Sequence, residues 1–180
     1  MEDLNDGIRW FNRALFMSLA LYATLASMLP LGLSADSILM PDLLVAMTFA
    51  WVIRRPSTAP YALVFMVALF ADIMLMRPLG LWAMLTLLIG EFARSQRRPL
   101  REQPFVAEWI LFAMVLTVGV GINLLILNLT FTPRPSIDLM VNHIAMTTLS
   151  YPFVVAALHW IFRIRAPKTA AGSDRLGRVV

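Results

Sequence analysis

The chain of 180 residues contains no cysteine. This absence excludes a disulfide framework, a CxxC metal site and a thiol nucleophile. Charge is scarce too, because charged residues make up 14% of the chain and hydrophobic residues 59%, with a mean hydropathy of +0.75. A soluble globular domain is about half apolar and about a quarter charged. We therefore expect lipid to surround most of this chain, and we expect a single domain.

The sequence also lacks the patterns of most enzymes. It has no HExxH motif, no phosphate-binding loop and no Ser/His/Asp set within a recognisable motif. Its two histidines, His143 and His159, lie far apart along one apolar run, which argues against a metal site. We expect no catalytic residue, no metal and no cofactor, and nothing indicates a nucleic-acid partner.

Six apolar runs separated by polar residues fill most of the sequence. They cover residues 14–33, 38–53, 60–76, 79–93, 105–131 and 137–162. Crossing the ~30 Å hydrocarbon core of a bilayer takes about 20 helical residues, so the first, fifth and sixth runs are long enough and the middle three are short. The helical part of the second run is predicted to begin at Pro41, because proline suits a first helical turn. The pattern predicts an all-α, polytopic membrane protein in which residues 1–165 form a six-helix transmembrane bundle and residues 166–180 a basic, disordered tail.

The basic residues are distributed unevenly around these runs. Loops rich in Lys and Arg stay in the cytoplasm. With both termini placed there, the outer loops hold only Arg77 and Arg134, and the cytoplasmic segments hold 13 basic residues. The 13 are Arg9, Arg13, Arg54, Arg55, Arg94, Arg97, Arg98, Arg101, Arg163, Arg165, Lys168, Arg175 and Arg178. This asymmetry predicts six spans, with the first run retained and not removed as a signal peptide.

Two carboxylates are predicted to share the outer layer of the bundle. Asp42 opens the helix of the second run and Asp72 lies near the end of the third, and consecutive spans are usually antiparallel neighbours. Asp42 either caps its helix or belongs to a site. Asp72 lies near a helix C-terminus, where the dipole disfavours a negative charge, so it needs a donor or a cation. Arg77 is the nearest candidate partner; anchoring or assembly is the predicted role of Asp72, and proton or ligand chemistry is the alternative.

Further polar side chains share that outer half. They are Asn123 and Asn128 in the fifth run and Asn142 and His143 in the sixth. Ordinary hydrogen bonding between helices, at about 1 kcal/mol for each bond, would explain them. The alternative is that they form, together with the two carboxylates, a polar cluster that binds a partner protein.

A basic segment is predicted between the fourth and fifth runs. The sequence "RSQRRPLRE" places Arg94, Arg97, Arg98 and Arg101 in one cytoplasmic loop. Such a loop can bind anionic lipid headgroups or an acidic partner, and lipid alone would account for it.

Three motifs lie within this architecture. "PDLLVAMTFAWVIRRP" starts with Pro-Asp and ends with Trp and a basic turn, and "ALFADIMLMRPLGLWAM" places an Asp before a Pro-Leu-Gly turn. The last run, "SYPFVVAALHWIFRIR", has an aromatic-Pro-aromatic pattern and a basic end. With six runs in a short chain, these motifs resemble the MreD family of bacterial rod shape-determining proteins. That family often has Gly-Ser or Gly-Thr where this chain has Leu75-Met76-Arg77. It also often has His or Arg near the position of Trp82, and in this chain Arg77 would substitute for that basic side chain.

The resemblance implies a non-enzymatic scaffold of the elongasome in the bacterial inner membrane. It assigns Asp42 to the acidic position after proline, Asp72 to the Asp before the turn, and Pro78, Leu79 and Gly80 to the turn itself. The implied partner is MreC, a single-span protein with a periplasmic domain. Through MreC the family is linked to MreB filaments, to the RodA glycosyltransferase and to its transpeptidase, and so to peptidoglycan synthesis and rod shape.

An alternative function follows from the same resemblance. The MreD family is itself similar to the six-helix substrate-binding subunits of energy-coupling-factor transporters, which implies a carrier of a vitamin-like small molecule with an outer-facing pocket. Those subunits carry an Ala-xxx-Ala pattern in the first span for docking. Here Ala20, Ala23 and Ala26 lack that four-residue spacing, which favours the scaffold.

Overall fold

The computed structural model describes residues 2–28, 41–101, 103–132 and 136–160. The described residues form helices and no strand, as the all-α prediction requires. The helices are α1 (Glu2–Met28), α2 (Leu43–Arg54), α3 (Tyr61–Met74), α4 (Leu81–Arg101), α5 (Phe105–Leu129) and α6 (Ile137–Trp160), and a 3₁₀ turn covers Pro56–Thr58. Among them, α5 and α6 are long and apolar enough to cross a membrane, and α2 and α3 are shorter apolar helices.

Some predicted features lie outside the described residues. They are residues 29–33 of the first run, 38–40 of the second and 161–162 of the sixth, together with Arg134, the side chain of Arg101 and the tail 166–180.

Two helices extend well beyond their apolar runs. α1 begins at Glu2, although its run begins at residue 14. α4 continues through the predicted basic loop, so Arg94, Arg97 and Arg98 lie on a helix and the prediction of a loop is wrong. The physical reason is local, because Arg, Gln and Ala favour helix and nothing interrupts them before Pro99.

The start of α2 differs from its prediction by two residues. The helix begins at Leu43 and not at Pro41, because Asp42 is its N-cap residue. The Asp42 side chain accepts a hydrogen bond from the Val45 backbone N–H at 3.1 Å. A carboxylate at this place satisfies one of the N–H groups that a helix start leaves unpaired.

α2 is the central helix of the bundle. Its residues from Leu44 to Arg54 are all buried, and it packs against α1, α4 and α6. The ring of Trp51 meets that of Phe16 edge-on at 5.4 Å between centroids, and Phe49 lies 5.2 Å from Phe112. Because other helices surround α2, it needs no polar face toward solvent. For the same reason it can be shorter than a helix that contacts lipid along its whole length.

The bundle has two ends, which are distinguished by their polar contacts. At the Asp42 end, the start of α2 meets Arg77 and Trp82, which flank the turn from α3 to α4. At the Arg54 end, the last residue of α2 meets Glu108 near the start of α5. α2, α4 and α6 therefore run from the Asp42 end to the Arg54 end, and α3 and α5 run in the opposite direction.

One face of α5 is both apolar and exposed. The exposed side chains recur every three or four residues, which places them on one side of the helix. They are Ile110, Met114, Val118, Ile122, Leu125 and Leu129, each at least 40% exposed. At ~1.5 Å per residue this stripe is about 28 Å long, close to the thickness of a bilayer core.

Candidate functional site

Asp42 joins four parts of the fold through its carboxylate and its backbone N–H. Its Oδ1 accepts the Val45 N–H, and its Oδ2 accepts Trp82 Nε1–H at 2.7 Å and Arg77 Nη1–H at 3.0 Å. The backbone N–H of Asp42 donates to Thr147 Oγ1 at 3.0 Å. These bonds link α2 to the α3–α4 turn, to α4 and to α6, and the residue is only 5% exposed. A buried charge with so many donors is well compensated, and removing one donor leaves part of that charge uncompensated.

Two ring contacts complete what we call the Asp42 cluster: Asp42, Arg77, Trp82, His143 and Thr147. The Arg77 guanidinium carbon lies 5.5 Å from the centroid of the Trp82 ring, a cation–π geometry. The buried His143 ring meets Trp82 edge-on at 6.1 Å between centroids. Sequence reasoning had grouped Asp42, Arg77 and His143 in one layer, but it missed Trp82 and Thr147 as partners.

Asp72 is fully buried and serves the beginning of the next helix. Its Oδ2 accepts the backbone N–H groups of Gly80 at 3.0 Å and of Ala83 at 3.1 Å. Gly80 precedes α4 and has no side chain that could cap it, so Asp72 supplies the capping oxygen from α3. A carboxylate near the end of its own helix is thus placed at the positive end of α4.

Arg77 is therefore not the ion-pair partner of Asp72 that sequence proximity suggested. Its guanidinium pairs with Asp42, and its backbone N–H donates to the Asp72 carbonyl at 3.0 Å. Within the described part of the chain, Asp72 Oδ1 has no hydrogen-bond partner. The physical reason is the turn itself, because it directs the Arg77 side chain toward the start of α2.

The turn from α3 to α4 depends on two residues with positive φ. Met76 has a φ of 51°, and the N–H groups of Met76 and Arg77 bond back to the carbonyls of Ile73 and Asp72, a Schellman ending. Gly80 has a φ of 81°, and no atom lies within 4 Å of the place where a Cβ would stand. Glycine is thus required at position 80 by backbone conformation and not by space. Pro78 bonds through its carbonyl to the Leu81 N–H and completes the turn.

The predicted asparagines lie on α5 and α6 toward the same end. Asn128 is exposed near the end of α5, and Asn142 is half buried one residue before His143. Both make contacts in the structure.

A cavity of about 490 Å³ lies beside the Asp42 cluster. It opens between α4, α5 and α6, with polar groups from Arg77, Trp82, Asn123 and His143. The remaining lining is largely apolar and comprises Met76, Pro78, Leu81, Val120, Leu127, Thr132 and Met140. Such a lining suits a partly apolar molecule that offers hydrogen-bond acceptors. Among the described residues, no group of three or more His, Asp or Glu side chains is placed to hold a metal ion.

A second buried polar group, the Arg54 cluster of Arg54, Glu108 and Tyr151, lies at the opposite end. Arg54 Nη1 is 2.8 Å from Glu108 Oε1 and also donates to the Ala50 carbonyl at 2.9 Å. The Tyr151 hydroxyl donates to the same Glu108 oxygen, and the Tyr151 ring stacks on Phe112 at 4.3 Å between centroids. The cluster ties α2, α5 and α6 together.

Sequence reasoning missed the Arg54 cluster. Glu108 is a carboxylate inside the apolar run 105–131, and Asp72 was singled out because it too is a carboxylate inside an apolar run. The sequence places Arg54 in a basic turn of a cytoplasmic segment, yet its side chain folds back along α2 to the Ala50 carbonyl and the residue is 9% exposed. A carboxylate within one run and an arginine at the end of another could have been paired.

The arginines of the predicted basic segment lie at the Arg54 end, remote from the Asp42 cluster. Arg94 and Arg97 are half buried on α4, and Arg98 is exposed. The candidate polar residues therefore form two separate sites, one at each end of the bundle. No model of a protein family, no curated protein and no solved structure matches the chain.

Proposed function

We propose that the chain is a non-enzymatic scaffold of the bacterial inner membrane, similar to the MreD family, that binds an MreC-like single-span protein. The observation that carries this proposal is the convergence of the motif residues. Asp42 of the Pro-Asp motif and Asp72 and Gly80 of the Asp–Pro-Leu-Gly motif build the starts of α2 and α4, and Arg77 of the intervening turn joins the two. The Asp42 oxygens are occupied by internal donors, an arrangement that suits a structural role better than proton transfer or turnover.

The turn at Met76 offers further support. Its φ of 51° is a conformation that glycine adopts at little cost and that other residues adopt rarely. The MreD family, which this chain resembles, often has glycine within this turn. The chain thus keeps a backbone shape that fits the family motif, although the glycine itself is absent.

A six-span arrangement with both termini in the cytoplasm is the topology we propose. The exposed apolar stripe of α5 supports contact with lipid, since soluble proteins rarely expose so large an apolar area. α2 and α3 are short, and α2 is enclosed by other helices, so that it need not match the bilayer thickness by itself. The basic Arg54 end then faces the cytoplasm, and the Asp42 end faces outward.

Co-purification with the predicted partner tests the scaffold directly. The protein, carrying an affinity tag and extracted in mild detergent, should capture an MreC-like protein in preference to an unrelated single-span protein expressed at the same level. Its depletion should give rounded, widened cells with dispersed elongation machinery, since the link between MreB filaments and RodA with its transpeptidase would be lost. Normal cell shape after depletion, with no partner captured, would reject the scaffold.

The cavity beside the Asp42 cluster favours a second function, a carrier of a vitamin-like molecule. Val120 lines the cavity, whereas Val118 is 61% exposed on the outer face of α5. For a carrier, Val120→Trp should abolish uptake of one vitamin while Val118→Trp leaves uptake unchanged. Unchanged uptake in both variants, and in cells depleted of the protein, would exclude the carrier.

A further inference from the structure

The last two turns of α4 carry a basic face. Arg94, Arg97, Arg98 and Arg101 are spaced at i, i+3, i+4 and i+7, which places them on one side of the helix. Because α4 continues as a helix to Arg101, these positions lie on helical backbone and not in a loop.

Arg94 has a structural task on this face. Its Nη1 and Nη2 donate to the carbonyls of Pro56 at 2.9 Å and Ala59 at 2.8 Å, and its guanidinium lies 4.5 Å from the centroid of the Tyr61 ring. Its Nε is 3.3 Å from Glu91 Oε2. Arg94 therefore holds the α2–α3 connection against α4, and Glu91 offsets its charge.

Arg97 and Arg98 differ from Arg94 because their side chains have no ion-pair or hydrogen-bond partner in the described part of the chain. They line a cavity of about 530 Å³ with Ser57 and Ser95. Its remaining described lining is Pro56 and Arg94, so none of these residues is acidic. Among the described residues, these two guanidinium groups stand beside two serines and no acidic side chain lines the cavity with them. Such a set suits a phosphate group, to which arginine can donate two hydrogen bonds at once.

We propose that this cavity binds the phosphate group of an anionic lipid headgroup. Apolar surface next to the cavity distinguishes a lipid from free phosphate. Leu88 and Phe92 are 56% and 40% exposed, and with Ser95 they follow one side of α4 at i, i+4 and i+7. Tyr61, which is 52% exposed, borders the site from α3. A phosphate held by Arg97 and Arg98 would place its acyl chains along this surface.

This inference rests on the membrane location proposed above but not on the MreC-like partner. The test is native mass spectrometry of the full-length protein in a neutral detergent, titrated with phosphatidylglycerol or phosphatidylcholine. The wild type should retain phosphatidylglycerol preferentially. The double variant Arg97→Gln, Arg98→Gln should bind it about 30-fold more weakly, since each basic residue near an anionic lipid contributes roughly a factor of five. The control Arg175→Gln, Arg178→Gln removes the same charge from the C-terminal segment and should bind like the wild type.

Each alternative gives a different result. Equal weakening in both double variants would show unspecific attraction to charge and overturn the site. Binding of inorganic phosphate that fully displaces phosphatidylglycerol would assign the cavity to free phosphate. Tighter binding of a polyglutamate peptide through the same arginines would assign it to an acidic protein. A protein recovered without detergent in the soluble fraction would reject the membrane location itself, a result that precedes any lipid titration. Equal unfolding temperatures of the variants would establish that loss of binding is not loss of fold.

Discussion

The carboxylates of Asp42 and Asp72 each bind the beginning of a helix. Asp42 directly precedes its helix in the sequence, whereas Asp72 lies near the end of the preceding helix. Asp72 belongs to α3, but its Oδ2 bonds to Gly80 and Ala83 at the start of α4. Both charges therefore face the positive end of a helix dipole and the N–H groups that a helix start leaves unpaired. This placement explains how two buried carboxylates are tolerated with a single arginine between them.

Substitutions at Asp72 should separate its shape from its charge. Asp72→Ala leaves two buried N–H groups without an acceptor and should lower the free energy of unfolding by about 2–3 kcal/mol. Asp72→Asn keeps one carbonyl oxygen in place and should cost about half as much. Denaturant titration in mixed micelles would measure both. Equal losses for the two variants would show that the capping bonds are not what Asp72 contributes.

A double-mutant cycle should identify the partner of Arg77. Asp42→Asn, Arg77→Gln and the double variant should show a coupling of about 1–2 kcal/mol in the free energy of unfolding, because the two side chains form an ion pair in which Asp42 is buried and Arg77 partly buried. The matched cycle with Asp72→Asn and Arg77→Gln should be additive to within about 0.5 kcal/mol. A larger coupling in the second cycle than in the first would contradict the pairing in the structure.

Glu108 should be far more sensitive than Glu91, which is the natural control. Glu108→Ala removes the acceptor of Arg54 and Tyr151 and leaves a buried arginine unpaired, at a cost of about 3–5 kcal/mol. Glu91→Ala breaks a pair that is half exposed and should cost less than about 1 kcal/mol. Thermal unfolding in detergent compares the two. Similar unfolding temperatures would mean that the Arg54 cluster contributes little.

At this scale the sequence predicts which side chains are unusual but not how they pair. Asp42, Asp72 and Arg77 stand out because they interrupt apolar runs or adjoin them. The choice between the Asp42 and Asp72 carboxylates depends on where the α3–α4 turn directs the Arg77 side chain. That direction follows from the positive φ of Met76, which cannot be predicted from the residue types in the turn because methionine rarely adopts it.

The apolar runs predict the existence of the helices better than their ends. The runs 60–76, 105–131 and 137–162 differ from α3, α5 and α6 by about one turn at most in the described residues. α1 and α4 are longer than their runs because polar residues with good helix propensity extend them. An apolar run shows which residues contact lipid or the core. It does not show where the helix ends, because a helix continues until a cap or a turn stops it.

The α4–α5 contact gives a prediction at the scale of the elements. A Cβ at Gly119 would lie 3.1 Å from Ile89 Cδ1, whereas a Cβ at Gly121 would meet no atom within 4 Å. Gly119→Val should therefore push the two helices apart and lower the unfolding free energy by about 1–3 kcal/mol. Gly121→Val is the control with the same change in the same helix and should have a much smaller effect. Equal effects of the two would show that α4 and α5 are not in close contact at Gly119.

For the whole molecule, the all-α class could be predicted from composition and from the six runs. The central position of α2 could not, because its run looks no more apolar than its neighbours and the order of helices in space depends on long-range packing. Polar residues were predicted at both ends, since the uneven distribution of arginine indicated one of them and the carboxylates Asp42 and Asp72 indicated the other. The Arg54 cluster was missed because Arg54 was grouped with the other cytoplasmic basic residues and Glu108 was not singled out within its apolar run.

Reporter fusions test the proposed topology. A phosphatase that is active only outside the cytoplasm should be inactive when fused after Val180, because the 13 basic residues of the predicted cytoplasmic segments hold that end inside. The same reporter fused after Thr132, just past the end of α5, should be active. Activity after Val180 together with inactivity after Thr132 would reverse the orientation, and activity after both would exclude six spans.

The enclosure of α2 has a consequence for biosynthesis. α2 leaves the ribosome before α4 and α6, yet the side chains that satisfy Asp42 come from Arg77, Trp82 and Thr147, and the last is 105 positions downstream. A nascent chain that ends before α6 holds Asp42 without its full set of partners and α2 without one of its walls. α2 is thus made early but reaches its final surroundings late. We expect a chain truncated before α6 to lack the Thr147 partner of Asp42, and so to fold less stably and be degraded faster than the full chain.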